Sequence, residues 1–127
     1  MICAALIALA LAGPAHALSC LPSDIARDYA QAEVSEDIWI VVNGTLRFDA
    51  DRLPKTDWSR QQQTPPKTDI PASLTGQSLT PDGFTRPFDS DVTLRVLCFG
   101  PWCAGAADNT DYLAFLKREG DGYVLFA

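Results

Sequence analysis

The sequence predicts a small, mainly β domain in which five strands close, or half close, into a barrel, preceded by one short helix. Three observations carry that prediction. Apolar and polar residues alternate over several separate stretches, the period of a half-buried strand. Only one stretch, beginning near Ile25, places apolar residues at helical spacing. The 8 glycines and 9 prolines fall largely between the alternating stretches, where turns are needed.

The first segment lies outside this fold. Met1 to Ala17 contains no Asp, Glu, Lys or Arg. Ile2 to Ala12 is an apolar run followed by Gly13-Pro14 and the small-x-small triplet Ala15-His16-Ala17, the layout of an export signal with its cleavage site. The run is too short to span a bilayer, which takes about 20 apolar residues. Only the α-amino group of Met1 supplies the positive charge a signal carries ahead of its core, which points to an upstream start or a trimmed N-terminus. Residues 1–17 are therefore read as a signal peptide and 18–127 as one mature domain, periplasmic or secreted. A second route follows from Ala17-Leu18-Ser19-Cys20, which loosely matches the lipobox of bacterial lipoproteins. By that route Cys20 becomes a lipidated N-terminus and the chain is anchored in the envelope membrane.

The mature elements follow in order. Ser23 can cap a helix with Asp24 in its first turn. Ile25, Ala26, Tyr29, Ala30 and Val34 form one apolar stripe opposite Arg27, Asp28, Gln31 and Glu33. From Ile38 to Phe48 the even positions Ile38, Ile40, Val42, Gly44, Leu46 and Phe48 form the inward face of a strand, with a bend at Gly44. Trp39, on the other face, can sit under the helix. Ala50 to Lys67 reads as a polar, mobile loop. Asp69 to Ser78 is a second strand with Ile70, Ala72, Leu74 and Gly76 inward and Pro71 outward at an edge. Leu79 to Asp91 reads as irregular, with a turn at Pro81-Asp82-Gly83 and with Phe84 and Phe88 folded back over the core. Val92 to Cys98 and Tyr112 to Leu116 are the next strands. A turn at Glu119-Gly120-Asp121-Gly122 leads to the last, Tyr123 to Phe126, and the chain stops at Ala127. Five strands with a glycine-bent first strand suit a small OB-type barrel; a five-stranded sheet covered by the helix is the alternative.

Charge and histidine content narrow the function. The chain has 16 acidic against 10 basic residues, a net charge of −6, which argues against nucleic acid and anionic lipid surfaces as partners. Its single histidine is His16, which leaves with the signal. No Ser-His or Cys-His catalytic pair and no histidine zinc site can then be assembled, and no cofactor or metal is implied. Of 4 cysteines, Cys3 also leaves. Cys20, Cys98 and Cys103 remain in an oxidising compartment, so disulfides are expected and one thiol is left over. Either Cys98 and Cys103 bond across the turn Phe99-Gly100-Pro101-Trp102, or Cys20 ties the N-terminus to the 98–103 loop and constrains the unfolded chain more. The spacing C-x4-C does not suit a redox-active dithiol.

The order of features resembles the netrin-like module, the OB-type domain of the tissue inhibitors of metalloproteinases and of several complement and matrix proteins. The residues that carry the resemblance are Cys20-Leu21-Pro22, Ile40-Val41-Val42-Asn43-Gly44-Thr45, Leu74-Thr75-Gly76, Cys103 and Asp111-Tyr112-Leu113-Ala114-Phe115. The resemblance covers most of the mature chain through short motifs. It implies that Cys20 pairs with Cys103 and that Cys98 is buried or unpaired. Two departures matter. Leu18 and Ser19 precede Cys20, so the N-terminal cysteine chelate by which the inhibitors hold a protease zinc cannot form. The family's cysteine-x-cysteine start is absent as well, and the inhibitor function does not come with the fold. The leader and the lipobox-like sequence suggest a bacterial envelope protein.

Candidate chemistry is sparse. Asp49 and Asp51, Asp89 and Asp91, and Asp108 and Asp111 are paired carboxylates, the material of a small hydrolase, but they sit in polar, turn-rich segments where solvent keeps both partners ionised. Asp108-Asn109-Thr110-Asp111 lacks the ligand count of a calcium loop. Asn43-Gly44-Thr45 is a glycosylation sequon placed mid-strand. Binding is the better reading. Trp102, with Phe99 and Pro101, is a candidate anchor for a protein partner, although beside the cysteines it is more simply read as a cover over the barrel end. Trp58, with no apolar neighbours in sequence, is a second exposed candidate. The expectation is an exported module that binds a protein of the envelope or periplasm and catalyses nothing; the alternatives are a lipid-anchored structural protein, which contacts membrane only through Cys20, and an aspartate-pair hydrolase.

Overall fold

A computed structural model describes residues 24–60 and 64–127. Helix α1 spans Ile25–Val34, and six strands follow: β1 Trp39–Phe48, β2 Lys67–Thr80, β3 Gly83–Phe99, β4 Trp102–Cys103, β5 Thr110–Glu119 and β6 Gly122–Phe126. The fold is mainly β with one helix, as the alternation implied. The six-stranded sheet runs β2-β1-β5-β6-β3-β4, and β2 also pairs with β3, so five strands form a closed ring. Every pairing in the ring is antiparallel except β3 with β6, which is parallel through Thr93↔Val124, Leu94↔Leu125 and Arg95↔Phe126.

The inward face of the ring is the one the period-2 pattern selects, except that Ile38, expected inward, precedes β1 and is 62% exposed. Val42, Leu46 and Phe48 of β1, Ile70, Ala72 and Leu74 of β2, Val92, Leu94 and Val96 of β3 and Ala114 and Leu116 of β5 form one buried cluster. Burial of these side chains is the main stabilising term, each worth about 1.5–3 kcal/mol for the larger ones. Gly44 and Gly76 are partners in the β1–β2 register. A Cβ on Gly44 would lie 2.5 Å from the Thr75 carbonyl oxygen, and one on Gly76 would run into the Asn43 carbonyl oxygen and Gly44 Cα. Two facing glycines thus let β1 and β2 approach closely, and the registers of β1 with β2 and β5 run unbroken through Gly44, where a bend was expected.

Three expectations change. The stretch 79–91 is not irregular: β2 and β3 form one long hairpin through Pro81-Asp82, with Gly83 at φ +100°. Its polar sequence hid the strand because over residues 83–92 β3 pairs on one side only, and an edge tolerates Pro87 and a bulge at Ser78/Leu79. Phe88 does pack on the core, edge-on to Tyr123 at 5.7 Å. Second, Asp24 rather than Ser23 is the N-cap of α1, its carboxylate accepting from the Ala26 and Arg27 amides; Ser23 lies outside the described residues. Third, the apolar stripe of α1 is not a buried face. The helix buries no residue, and Ile25 and Val34 are 60% and 83% exposed; of the stripe only Tyr29 lies beside Trp39, with Ala32 and Glu33, while Asp28, Gln31 and Ala32 line a second cleft with it. Trp39 therefore does sit under the helix.

Within the predicted 50–67 loop, Ala50–Arg52 and Trp58–Arg60 are short 3-10 turns, and Leu53 packs on the core. On the outer surface, Arg95 of β3 binds both carboxylate oxygens of Asp69 on β2, at 2.7 and 2.9 Å, and those of Glu119 on β5, at 3.0 and 3.1 Å. Its guanidinium also lies 5.6 Å from the Phe126 ring centre. One planar, five-donor side chain thereby joins three strands across the short parallel pairing. The Arg95 contact holds the Asp69 carboxyl below the usual carboxylate range.

Candidate functional site

β3 does not stop at the ring but runs on to Phe99 and turns back through Gly100-Pro101 into β4. Cys98 pairs with Cys103 and Phe99 with Trp102 in this small hairpin. Gly100 has φ +60°, the left-handed backbone that a two-residue turn needs and that glycine adopts without strain. Alternation then sorts the side chains. Cys98 and Cys103 share one face, and Cys103 packs against the core; Phe99 and Trp102 share the other and project into solvent. The cysteine Cα atoms are 3.9 Å apart and the sulfurs are bonded.

The hairpin is tied down at its base and its turn. The Ala104 amide donates to the Leu97 carbonyl at 2.8 Å, and the Cys98 amide to the Pro66 carbonyl at 2.9 Å. The Leu97 amide donates to the Ala127 carbonyl at 3.0 Å, extending the β3–β6 pairing to the last residue. At the turn, the Thr56 hydroxyl donates to the Pro101 carbonyl at 2.9 Å. Phe99 and Trp102, 74% and 64% exposed, are thus large apolar side chains on a covalently closed, anchored projection.

This arrangement decides several sequence-based expectations. The bond is Cys98–Cys103; the Cys20–Cys103 pairing implied by the netrin-like resemblance is corrected, because the hairpin register places Cys98 opposite Cys103. Cys20 lies outside the described residues. Trp102 does not cover the ring end, since its place in the alternation points it outward. Pro101 is buried and supplies its carbonyl to Thr56 rather than a face to solvent. Trp58 is 61% exposed and sits on a turn fixed by Asp57, whose carboxylate accepts from the Ser59 amide and hydroxyl at 2.9 and 2.6 Å. Those two bonds hold the Asp57 carboxyl below its ordinary range. The same loop thus carries Thr56 to the hairpin and Trp58 to solvent.

The carboxylate pairs are exposed, and Asp49, Asp89, Asp108 and Asp111 are engaged in local structure. Asp49 caps the 50–52 turn, accepting from the Asp51 amide at 3.1 Å. Asp89 accepts from the Thr75 hydroxyl at 3.1 Å and Asp111 from the Thr45 hydroxyl at 2.5 Å. Asp108 accepts from the Phe48 amide at 2.8 Å, pinning the β4–β5 turn, with Asn109 at φ +52°, onto the end of β1. Among the described residues no group of three or more His, Cys, Asp or Glu side chains is placed to hold a metal ion, and no helix is long and apolar enough to cross a membrane. The disulfide is compatible with an exported location.

No family model matches the chain, and no curated protein or solved structure is similar to it.

Proposed function

We propose that the protein is an exported binding module whose ring, of OB and netrin-like type, carries a contact surface for a protein of the envelope or periplasm on the Cys98–Cys103 hairpin, and that it works without catalysis. The observation that carries this reading is the exposure of Phe99 and Trp102 on a disulfide-closed tip. Two aromatic side chains in water are held there by a covalent bond that removes most of the turn's freedom, so little ordering entropy is lost on docking. Aromatic anchors of this kind dominate binding energies when a partner desolvates them. Trp58 extends the candidate surface along the loop that already touches the turn. Replacing Phe99 and Trp102 with alanine tests it: retention of an envelope partner is lost while the thermal midpoint stays within about 2–3 °C of the parent, the range of ordinary surface changes. Undiminished retention by the double variant refutes this surface.

A lipid-anchored module is the second reading, and the disulfide favours it. With Cys98 and Cys103 bonded to each other and Cys3 removed with the signal, Cys20 has no cysteine partner left in the mature chain. Intact mass of the protein from its host separates the two: a chain beginning at Leu18 means soluble export, and one beginning at Cys20 with added acyl chains means a tether.

A further inference from the structure

A second site lies between α1 and the outer face of the ring. Trp39, Leu113, Phe115 and Phe126 form its floor and Asp28 and Gln31 its helical rim, around a cleft of about 380 Å³, within the roughly 300–1,000 Å³ of small-molecule sites. The Trp39 and Phe126 rings are 6.4 Å apart and tilted by 44°. Trp39 Nε1 is buried, and among the described residues nothing accepts its proton. An indole N–H is a donor only, and a buried donor without an acceptor carries its full desolvation cost. The Ser35 hydroxyl on the same cleft is engaged with Asp37 instead, donating to its carboxylate at 3.3 Å and accepting from its amide at 3.1 Å, and that carboxylate is held by Lys117 at 2.9 Å.

From these observations we infer that the cleft binds a small neutral molecule with an aromatic or alicyclic ring and a carbonyl acceptor, the ring on the apolar floor and the carbonyl accepting from Trp39 Nε1. Asp28 at the rim and the net charge of −6 disfavour an anion. Trp39 Nε1 is closed off in this structure, so the inferred contact requires α1 to move outward; a helix that buries no residue belongs to the low-stability end of a structure, where such opening costs little. The site is separate from the Phe99–Trp102 surface and does not depend on it.

The test uses the mature protein and two matched probes, acetanilide, which has the carbonyl, and propylbenzene, which does not. The Trp39 indole N–H resonance, assigned by its loss in Trp39→Phe, is followed by NMR with the Leu113 and Leu125 methyl resonances. Acetanilide is expected to move the indole resonance saturably with a Kd of about 1 mM or tighter. Propylbenzene is expected to bind at least about tenfold more weakly. In Trp39→Phe, which keeps an aromatic ring of smaller size and loses the donor, the methyl shifts should report the two probes as equals. An indole resonance unmoved by acetanilide, or equal affinities in the parent, overturns the inference. So does a resonance that responds instead to removal of residues 18–23 or to protein dilution, since the occupant is then the chain's own N-terminal segment or a second copy.

Discussion

Replacing Gly44 with alanine probes the closest approach in the ring. The added Cβ would meet the Thr75 carbonyl oxygen at 2.5 Å, its carbon at 2.9 Å and Gly76 Cα at 3.0 Å, where ordinary contact begins near 3.4 Å. The oxygen must therefore retreat by about 0.9 Å, the difference between 3.4 and 2.5 Å. All three atoms are backbone of β2, which is paired on both sides at this level through Gly44↔Gly76 and Gly76↔Phe88, so no flexible side chain can absorb the shift. Overpacking of this kind costs about 1–3 kcal/mol, and the reduced freedom of the unfolded chain returns about 0.5–1 kcal/mol. The net loss of about 1–2 kcal/mol lowers the thermal midpoint of a domain this size by about 5–10 °C. Far-UV circular dichroism melts and urea midpoints measure it, with Gly105→Ala as control, because nothing lies within 4 Å of a Cβ there. Gly76→Ala, whose Cβ would collide with three backbone atoms of β1, the Asn43 carbonyl oxygen and carbon and Gly44 Cα, should fall further than Gly44→Ala. A Gly44→Ala protein that melts with the parent, or with Gly105→Ala, refutes the claim that the glycine pair sets the strand separation.

Other outcomes follow from the same geometry. Replacing both Cys98 and Cys103 with alanine opens a loop with a sequence separation of 5; chain entropy assigns it about 2 kcal/mol, read as a lower urea midpoint that thiol reduction of the parent reproduces. Asp69 has its folded pKa below the ordinary 3.8 because of Arg95, so its contribution is present above that value and is lost as the pH falls through the lower folded one. Asp69→Asn should therefore flatten the acid side of the stability curve, below about pH 4, and leave its neutral-to-alkaline shape unchanged. Asp24→Ala removes the cap of α1 and costs the helix about 1 kcal/mol. Because α1 buries nothing, faster amide exchange should appear in residues 25–34 while the global midpoint holds.

The core was legible because alternation reports burial directly. Ile70, Leu74, Val92, Leu94 and Val96 were assigned inward by spacing alone and are all buried. What escaped was structure whose stability comes from elsewhere. The distal half of β3 has polar residues and Pro87 where a strand pattern is expected, and only its long register with β2 makes it a strand. The helix misled in the opposite way. Its apolar stripe is real, yet α1 meets the ring through Asp28, Tyr29, Gln31, Ala32 and Glu33 beside Trp39, and Ile25 and Val34 stay exposed.

The candidate surface was half legible. Phe99, Trp102 and Trp58 could be named as large aromatics in turn-rich segments, but their exposure depended on which cysteines bonded, and spacing left two pairings open. Once β3 runs through Cys98, parity places Trp102 outside with Phe99 and turns Pro101 inward. The Arg95 network could have been anticipated, since Asp69 and Arg95 occupy outward positions on strands whose inward residues were already known. The unpartnered Trp39 N–H has no sequence signal, because it arises from the packing of a helix against a strand.

Cross-linking from the hairpin tests the central claim most directly. A photoreactive phenylalanine analogue placed at Trp102, in protein expressed in its own host, should yield one adduct of discrete mass with an envelope or periplasmic protein. Phe99→Ala should diminish that adduct, and the same probe at Gln77, on the exposed outer face of β2, should not form it. No adduct at Trp102, or the same adducts from Gln77 as from Trp102, would contradict the assignment of the disulfide-closed tip as the binding surface.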